Sequence, residues 1–288
     1  MTGRKGFGIS LLLLGVFLLL FQAAFIGFAA PRGYSLIYEW IFYAINYAII
    51  FSVFTGIVLL FQGALVKWIA GVAVLGLLAV NSLYFYMEGD VNVLVARSDN
   101  GEHEVIFKEF KRIDRETVRL KRRGGIFGRE VAVLEGSASY KALEEGQYKL
   151  EWPVADTAAL TYQTDGDESL AQQLVHFRSS DYISYKYVAV GLLGDWVQQD
   201  DPQHTFSSDN KEFVYRRDGE TTVFDIFDTE QFGIYSLVVE DAEGSPVLTI
   251  IMNPGTEFDE DGIIKKDGTI TIAPVSLEKT ESAVFVRE

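Results

Sequence analysis

Three long apolar stretches lie within the first 87 residues of the 288-residue chain, and they constrain its fold more than any other feature. Gly8 to Ala30 carries no charged residue, the stretch from about Leu36 to Gly63 carries only Glu39, and the stretch from about Trp68 to Met87 carries none. A helix needs about 20 apolar residues to cross the hydrocarbon core of a bilayer. The sequence therefore predicts a three-helix transmembrane anchor over residues 1–89.

The charges beside these stretches set the expected orientation. Lys and Arg accumulate on the cytoplasmic side of membrane proteins, and with three spans Arg4, Lys5 and Lys67 fall on one side while Arg32 and Arg97 fall on the other. We expect a multi-pass protein of the cell membrane with a cytoplasmic amino terminus and an extracytoplasmic carboxyl-terminal domain. A cleaved signal peptide is the alternative for the first stretch, although its apolar region exceeds the about 7–15 residues of signal peptides.

Glu39 is the only charged residue inside the predicted spans. It lies among aromatic residues that mark the outer membrane interface, namely Tyr34, Tyr38, Trp40 and Tyr43. An ionisable group within a span is a functional candidate, but one this close to a helix end can also reach water.

From Val91 onward the sequence predicts an all-β domain. Alternating and β-branched runs recur between turn residues at the spacing of an antiparallel sandwich or barrel, and Asn100-Gly101 predicts a hairpin between Val91–Arg97 and His103–Phe110. The absence of cysteine excludes disulfides, so a hydrophobic core must hold the domain. We expect two β units, 90–190 and 191–288. The other predicted strands are Thr117–Arg122, Arg129–Leu134, Gln147–Trp152, Thr157–Gln163, Leu170–Phe177, Tyr182–Val190, Phe213–Arg216, Thr221–Phe227, Gly233–Glu240, Val247–Met252, Ile263–Lys266, Thr269–Ile272 and Ala283–Val286.

Glycine and aromatic landmarks occur in a fixed order in the second unit. They are Gly194-Asp-Trp196, Phe206, Phe213-Val-Tyr215, Asp218-Gly219, Gly233-Ile-Tyr235 and Leu248-Thr-Ile250. Over about residues 190–280 this order resembles the lipocalin-like domains of bacterial envelope proteins, in which a Gly-x-Trp opens the barrel and a Gly-x-Tyr strand follows a hairpin. The resemblance implies a meander barrel with Gly194, Trp196, Gly233 and Tyr235 as structural landmarks and Trp196 closing one end as a core residue. The whole layout resembles uncharacterised membrane-anchored proteins of Gram-positive bacteria.

Motifs that carry chemistry are sparse in this chain. The three histidines, His103, His176 and His204, lack the close spacing of zinc ligands. The sequence contains no nucleophile elbow, phosphate loop or dinucleotide fingerprint. The acidic run Glu257–Gly262 offers carboxylates to calcium but lacks the spacing of an EF-hand, which favours a solvated turn. We expect no catalytic residues, no metal and no cofactor.

A basic segment is the most unusual charge feature. Residues 108–123 contain eight basic and three acidic residues, whereas residues 130–288 contain 31 acidic and 11 basic residues. Two interpretations remain open: the segment contacts anionic lipid headgroups or wall polymers, or it pairs with the acidic region. The acidic excess of the distal region argues against a nucleic-acid partner. The candidate residues are Lys108, Lys111, Arg112, Arg115, Arg119, Lys121, Arg122 and Arg123.

These features together predict a polytopic membrane protein that presents a non-enzymatic extracytoplasmic β domain for ligand binding or envelope sensing. Two alternatives remain open. One is a membrane-anchored enzyme with its site between the β units. The other is a scaffold or accessory subunit of a membrane complex, for which Ala23 and Gly27 offer a small-x-x-x-small face to another membrane protein.

Overall fold

A computed structural model describes residues 3–166, 169–178 and 187–288. The contacts divide the chain into two compact units, one comprising Met1–Val95 with Ile106–Leu134 and the other Ala96–Val105 with Glu135–Glu288. These units differ from the predicted domains. The helices share a unit with strands beyond residue 90, and residues on both sides of position 190 share the second unit.

Three long helices form the amino-terminal part of the chain. Each is long and apolar enough to cross a bilayer. Helix α1 spans Gly3–Ala24 and continues through a π turn at Phe25–Ala29 and a 3-10 turn at Ala30–Arg32; α2 spans Trp40–Leu60; α3 spans Ala64–Tyr84 and ends in a π turn at Phe85–Gly89.

Small residues let α1 and α2 approach closely. A Cβ on Gly15 would lie 2.7 Å from Val53 Cγ2, and a Cβ on Gly56 would lie 2.7 Å from Leu12 Cγ. Between helices that are surrounded by lipid, close van der Waals contact is a main source of attraction. The two glycines therefore position α1 against α2.

The second helix begins at Trp40 rather than at Leu36 as the apolar stretch indicates. Tyr34–Leu36 instead form strand β1. Gly33, with φ 78°, turns the chain from the end of α1 into this strand. The extended segment satisfies its backbone by pairing antiparallel with residues 127–129, so the apolar run is divided between a strand and a helix.

A five-stranded antiparallel sheet lies mostly in the helical unit. Its order is β1-β5-β4-β3-β2, and the predicted hairpin around Asn100-Gly101 is confirmed as β2–β3. Its buried core includes Ile37, Ile106 and Leu120. Besides β1, the sheet contains β2 (Val91–Arg97), β3 (Glu104–Phe110), β4 (Val118–Gly124) and β5 (Phe127–Val133).

The second unit begins with a short helix and a three-stranded sheet. Helix α4 spans Ala142–Glu145, and the sheet consists of β6 (Tyr148–Val154), β7 (Thr157–Gln163) and β8 (Leu170–His176). Every residue of β7 is buried. Of the predicted strand Tyr182–Val190, residues 182–186 lie outside the described residues, and Val188–Gly191 form helix α5 instead.

A nine-stranded antiparallel sheet makes up the rest of the second unit. Its order is β12-β11-β10-β9-β17-β16-β15-β14-β13. Of the predicted strand Ile263–Lys266, only Ile264 pairs, in an isolated bridge to Phe258. The strands are β9 (Gly194–Gln198), β10 (Thr205–Ser208), β11 (Glu212–Arg217), β12 (Glu220–Asp225), β13 (Thr229–Phe232), β14 (Ser236–Glu240), β15 (Pro246–Met252), β16 (Thr269–Pro274) and β17 (Ala283–Arg287).

This sheet curls into a nearly closed barrel because its first and last strands in the chain, β9 and β17, pair with each other. Every neighbouring pair is antiparallel. Strand directions alternate from β9 through β10 and β11 to β12, and likewise from β9 through β17, β16, β15 and β14 to β13. As a result β12 and β13 run in the same direction. They are therefore two segments of one strand, interrupted at residues 226–228, and the sheet amounts to an eight-stranded meander with a break in one strand.

Aromatic side chains fill the inside of this barrel. Trp196, Phe206, Phe213 and Phe285 are fully buried in one cluster with aliphatic residues of β14–β16. The three-stranded sheet belongs to the same unit and contacts the barrel. Thr249 Oγ1 of β15 donates to Gln172 Oε1 of β8 at 2.5 Å. Both faces of β15 are consequently buried.

Candidate functional site

A cavity of about 590 Å³ lies where two loops of the barrel meet Arg178, the second residue after β8. The loops are the β13–β14 turn and the connection from β15 to β16. The cavity thus draws residues from both β units that the sequence predicts. Its lining residues are Arg178, Ile234, Tyr235, Met252, Asn253, Gly255, Thr256, Glu257, Phe258, Asp259, Glu260 and Gly262.

Arg178 forms the most constrained part of the cavity wall. Its Nε donates to Asp156 Oδ2 at 2.8 Å, and its Nη2 donates to Asp156 Oδ1 at 3.1 Å. Its Nη1 donates to the Met252 carbonyl oxygen at 2.9 Å, and its guanidinium carbon lies 4.4 Å from the Tyr235 ring centroid. A bidentate pair with a stacked ring holds the guanidinium in one orientation. The charge of Arg178 is therefore balanced by Asp156.

The carboxyl group of Asp156 titrates lower than usual for the same reason. Burial alone would raise the pKa of Asp156, but the hydrogen bonds and charge of Arg178 more than offset this effect and hold the pKa below its ordinary range. The side chains of Asp156 and Arg178 are each 16% exposed. Because Arg178 also donates to the Met252 carbonyl oxygen, the pair links the β6–β7 turn to the end of β15.

A histidine and a serine lie beside this pair. His176 Nε2 is 2.7 Å from Ser236 Oγ, and His176 Nδ1 is 3.0 Å from Thr157 Oγ1. Burial, with a smaller contribution from the charge of Arg178, lowers the pKa of His176 to about 4. Ser236 is fully buried and its hydroxyl donates to the Phe232 carbonyl oxygen at 3.2 Å. A nucleophile must reach its substrate, so this arrangement serves packing and hydrogen bonding.

The acidic run Glu257–Gly262 forms the opposite wall of the cavity as a turn. Asp259 Oδ1 accepts hydrogen bonds from the backbone N–H groups of Asp261 at 3.0 Å and Ile263 at 2.9 Å. Glu257 forms an ion pair with Lys265, with Oε2 and Nζ 2.8 Å apart. Among the described residues, no group of three or more acidic, histidine or cysteine side chains has the geometry of a metal site.

The four barrel landmarks occupy different positions in the structure. Trp196 is fully buried and its Nε1 donates to the Leu192 carbonyl oxygen at 2.8 Å. Gly194 has φ 122°, and a Cβ there would lie 3.0 Å from Arg287 Nε. Gly233 and Tyr235 lie in the turn between β13 and β14, not in a strand as the Gly-x-Tyr pattern implies, because Phe232 pairs with Ser236 across that turn. Tyr235 consequently lines the cavity.

The structure separates the basic candidate residues into two groups. Lys108 is fully buried and pairs with Glu39, with Nζ and Oε1 2.7 Å apart, so it is withdrawn from any surface. Two further cations pair with Asp90, outside the distal acidic region: Lys111 Nζ lies 3.2 Å and Arg112 Nη2 lies 3.6 Å from its carboxylate. Arg115 Nη2 lies 2.9 Å from Glu130, the first residue of the acidic region.

The remaining basic residues lie on β4. Burial lowers the pKa of Arg119, whose Nε is enclosed without a hydrogen-bond partner among the described residues. Arg122 Nη1 donates to the Gly125 carbonyl oxygen at 2.7 Å. Lys121 and Arg123 are exposed near the end of the β4–β5 hairpin. Arg112 and Arg115 are exposed as well, but each forms an ion pair.

The three histidines do not come together. His103 stacks on Phe177, with ring centroids 4.6 Å apart. His204 contacts Gln198 and Asp218 through its two ring nitrogens at 3.0 Å and 3.2 Å. His176 alone adjoins the cavity wall.

Comparison of the chain with protein-family models, with curated proteins and with solved structures finds no match. The candidate site therefore rests on its geometry. Sequence reasoning missed Arg178 and Asp156 because a lone arginine and a turn aspartate carry no spacing signal. One indication is available in hindsight: Arg178 is the only basic residue in the long interval between Lys149 and Lys186.

Proposed function

We propose that the chain is a membrane-anchored β-barrel binding protein. The three apolar helices cross the bilayer with the amino terminus in the cytoplasm, and the β domain binds a small ligand outside it. The observation that carries the proposal is the cavity bounded by Arg178 and Tyr235. Ligand sites are concave, largely apolar and furnished with a few polar groups, and this cavity combines Met252, Phe258 and Ile234 with charged side chains.

The barrel topology supports a lipocalin-like interpretation of the same domain. An up-and-down barrel of eight strands closes by pairing its first and last strands, as β9 and β17 do here. The aromatic core fills the interior, so a ligand would occupy the mouth rather than the centre. Small barrels hold either their own side chains or one ligand.

The charges of the wall indicate the class of ligand. Arg178 is balanced by Asp156 and Glu257 by Lys265, which leaves the carboxylates of Asp259 and Glu260 without a paired cation among the described residues. The ring of Tyr235 and the side chain of Phe258 supply apolar contact. The favoured ligand carries an amine on an apolar body.

Ligand-induced thermal shifts of the detergent-solubilised full chain test this proposal. Phenethylamine, phenethyl alcohol and hydrocinnamate share an aromatic body and differ in charge. We expect the amine to raise Tm most, because a ligand stabilises the state that binds it. Glu260→Lys should abolish that preference, while Glu243→Lys on the exposed β14–β15 turn should retain it. Equal shifts with all three compounds, or a preference unchanged by Glu260→Lys, would contradict the amine assignment.

Binding rather than catalysis is the better explanation of the residues around the cavity. Ser236 is enclosed, and the low pKa of His176 results from burial beside Arg178. The two alternatives, an enzyme and a scaffold subunit, remain proposals. For the scaffold, a Cβ on Gly27 would meet nothing within 4 Å among the described residues, so that helix face is open to a partner.

A further inference from the structure

A second cavity, of about 610 Å³, lies beside the carboxyl-terminal end of α1. Its walls are mainly aromatic: Phe21, Phe25 and Phe28 come from α1 and the π turn that follows it, and Phe127 comes from β5. The rings of Phe25 and Phe127 are 5.9 Å apart. All of these residues belong to the helical unit. The groove is therefore an apolar surface at the end of an apolar helix.

Two arginines line the same groove. Arg32 and Arg123 are both exposed, and within the described residues no carboxylate lies within 4.0 Å of either. Arg32 Nη1 donates to the Phe28 carbonyl oxygen at 2.5 Å, which holds its guanidinium over the groove. The neighbouring Lys111, Arg112 and Arg115 are neutralised by carboxylates. Arg32 and Arg123 therefore place two exposed positive charges where the apolar surface ends.

We propose that this groove binds an anionic phospholipid. An acyl chain lies along the phenylalanines, and the phosphate lies between Arg32 and Arg123. Arginine presents several N–H donors in a fork that matches phosphate oxygens. Tyr34 also lines the groove, and tyrosine is enriched at the headgroup level of a bilayer. The proposal rests on α1 crossing a membrane, which is part of the proposed function, and is independent of the Arg178 cavity.

A lipid explains this combination better than a soluble anion. A free phosphate would make no favourable contact with the four phenylalanine rings. An apolar helix from another protein would leave two unpaired cations at its edge. A phospholipid satisfies both surfaces at once. It is also already present at the membrane interface, where basic side chains attract anionic lipids.

Native mass spectrometry of the full-length protein in mild detergent tests the proposal. The protein is equilibrated with equal amounts of phosphatidylglycerol and phosphatidylcholine that carry the same acyl chains. We expect the wild type to retain the anionic lipid with about tenfold preference. Arg32→Gln with Arg123→Gln should remove the preference, whereas Arg32→Lys with Arg123→Lys should keep most of it. The control Lys211→Gln with Arg216→Gln removes two exposed cations of the barrel and should leave the preference unchanged.

A variant that fills the groove tests the contact with the acyl chain separately from the contact with the phosphate. Ala24 lines the groove, and Ala24→Trp should reduce retention of both lipids while leaving the charges in place. Glycerol 3-phosphate, which has no acyl chain, should not displace bound phosphatidylglycerol. Displacement by glycerol 3-phosphate, equal retention of the two lipids by the wild type, or an unchanged preference in the double glutamine variant would overturn the proposal. Stable insertion of each variant into phosphatidylcholine vesicles tests the membrane anchor separately.

Discussion

Lys108 and Glu39 form an ion pair, with Nζ and Oε1 2.7 Å apart, that joins strand β3 to the residue before helix α2. Lys108 Nζ also donates to the Leu36 carbonyl oxygen at 3.1 Å and to Ser35 Oγ. Burial lowers the pKa of Lys108, and the charge and hydrogen bond of Glu39 oppose that effect. The single charge in the apolar stretches thus holds the sheet against the start of a helix.

The two partners of this pair should differ in their importance for stability. Glu39→Gln leaves the fully buried Lys108 without its counter-charge and should destabilise the protein by about 3–5 kcal/mol. Lys108→Met should cost less, because Glu39 is 22% exposed and can rehydrate. Unfolding of the detergent-solubilised protein measures the order of the two effects. The opposite order would mean that the amine of Lys108 is neutral in the folded protein.

His176 should make the second unit sensitive to acid. Its pKa falls from 6.5 to about 4 on folding, so the unfolded chain takes up a proton between these values and the folded protein does not. Stability is therefore complete above about pH 6.5 and falls by up to about 3 kcal/mol as the pH approaches 4. His176→Gln should flatten the stability profile within this window. A profile as steep as that of the wild type would assign the acid sensitivity to another group.

Glu230 should oppose stability at neutral pH. Glu230 lies at the surface, but its partial desolvation, with the charges of Glu135 and Glu240, raises its pKa to about 7. A carboxyl group with a raised pKa favours the folded state when protonated, so its contribution is lost as the pH rises from about 4.5 through 7. Glu230→Gln should raise Tm at about pH 7.5 and have no effect at about pH 4. Glu243→Gln, on an exposed turn, serves as the control, and an equal gain from it would point to net charge alone.

Trp196 should be a determinant of barrel stability. It is fully buried in the core, so Trp196→Ala should cost about 3–5 kcal/mol through lost burial and the cavity that remains. Trp196→Phe should cost less, since it removes the hydrogen bond to Leu192 but keeps most of the ring volume. Denaturant unfolding measures both values. A change within about 0.5 kcal/mol for Trp196→Ala would exclude a core role.

The absence of cysteine makes the membrane topology easy to test. We expect Ser282→Cys, at an exposed position of the β domain, to react with a membrane-impermeant maleimide added to intact cells or protoplasts. Gln62→Cys, between α2 and α3, should react only after lysis. The reverse pattern would place the β domain in the cytoplasm and would favour cytoplasmic partners.

Local patterns predicted the helices and several hairpins of this protein. Uncharged apolar runs indicated α1 and α3, and Asn100-Gly101 indicated the β2–β3 hairpin. The predicted start of α2, at about Leu36, was too early, because Leu36 belongs to strand β1, which pairs with residues 127–129. Such distant pairing leaves no periodic signal in either segment.

The same limit applies to the candidate sites. Arg178 acquires its position from Asp156, Tyr235 and the Met252 carbonyl, which lie in separate parts of the chain. Composition indicated the basic segment, but only the fold distinguishes the buried Lys108 from the exposed Arg123. A boundary at residue 90, natural from the sequence, would separate β1 from its sheet and Glu39 from Lys108.

The pairing of β9 with β17 also determines when the barrel can form during synthesis. Residues 196–198 can complete their strand pairing only after residues 285–287, about 90 positions later, have been synthesised. Until then the growing meander is an open sheet whose edge strands expose unpaired backbone groups to other chains. The nascent β domain therefore passes through an aggregation-prone interval before residues 285–287 are available, and closure of the barrel is a late step of its folding.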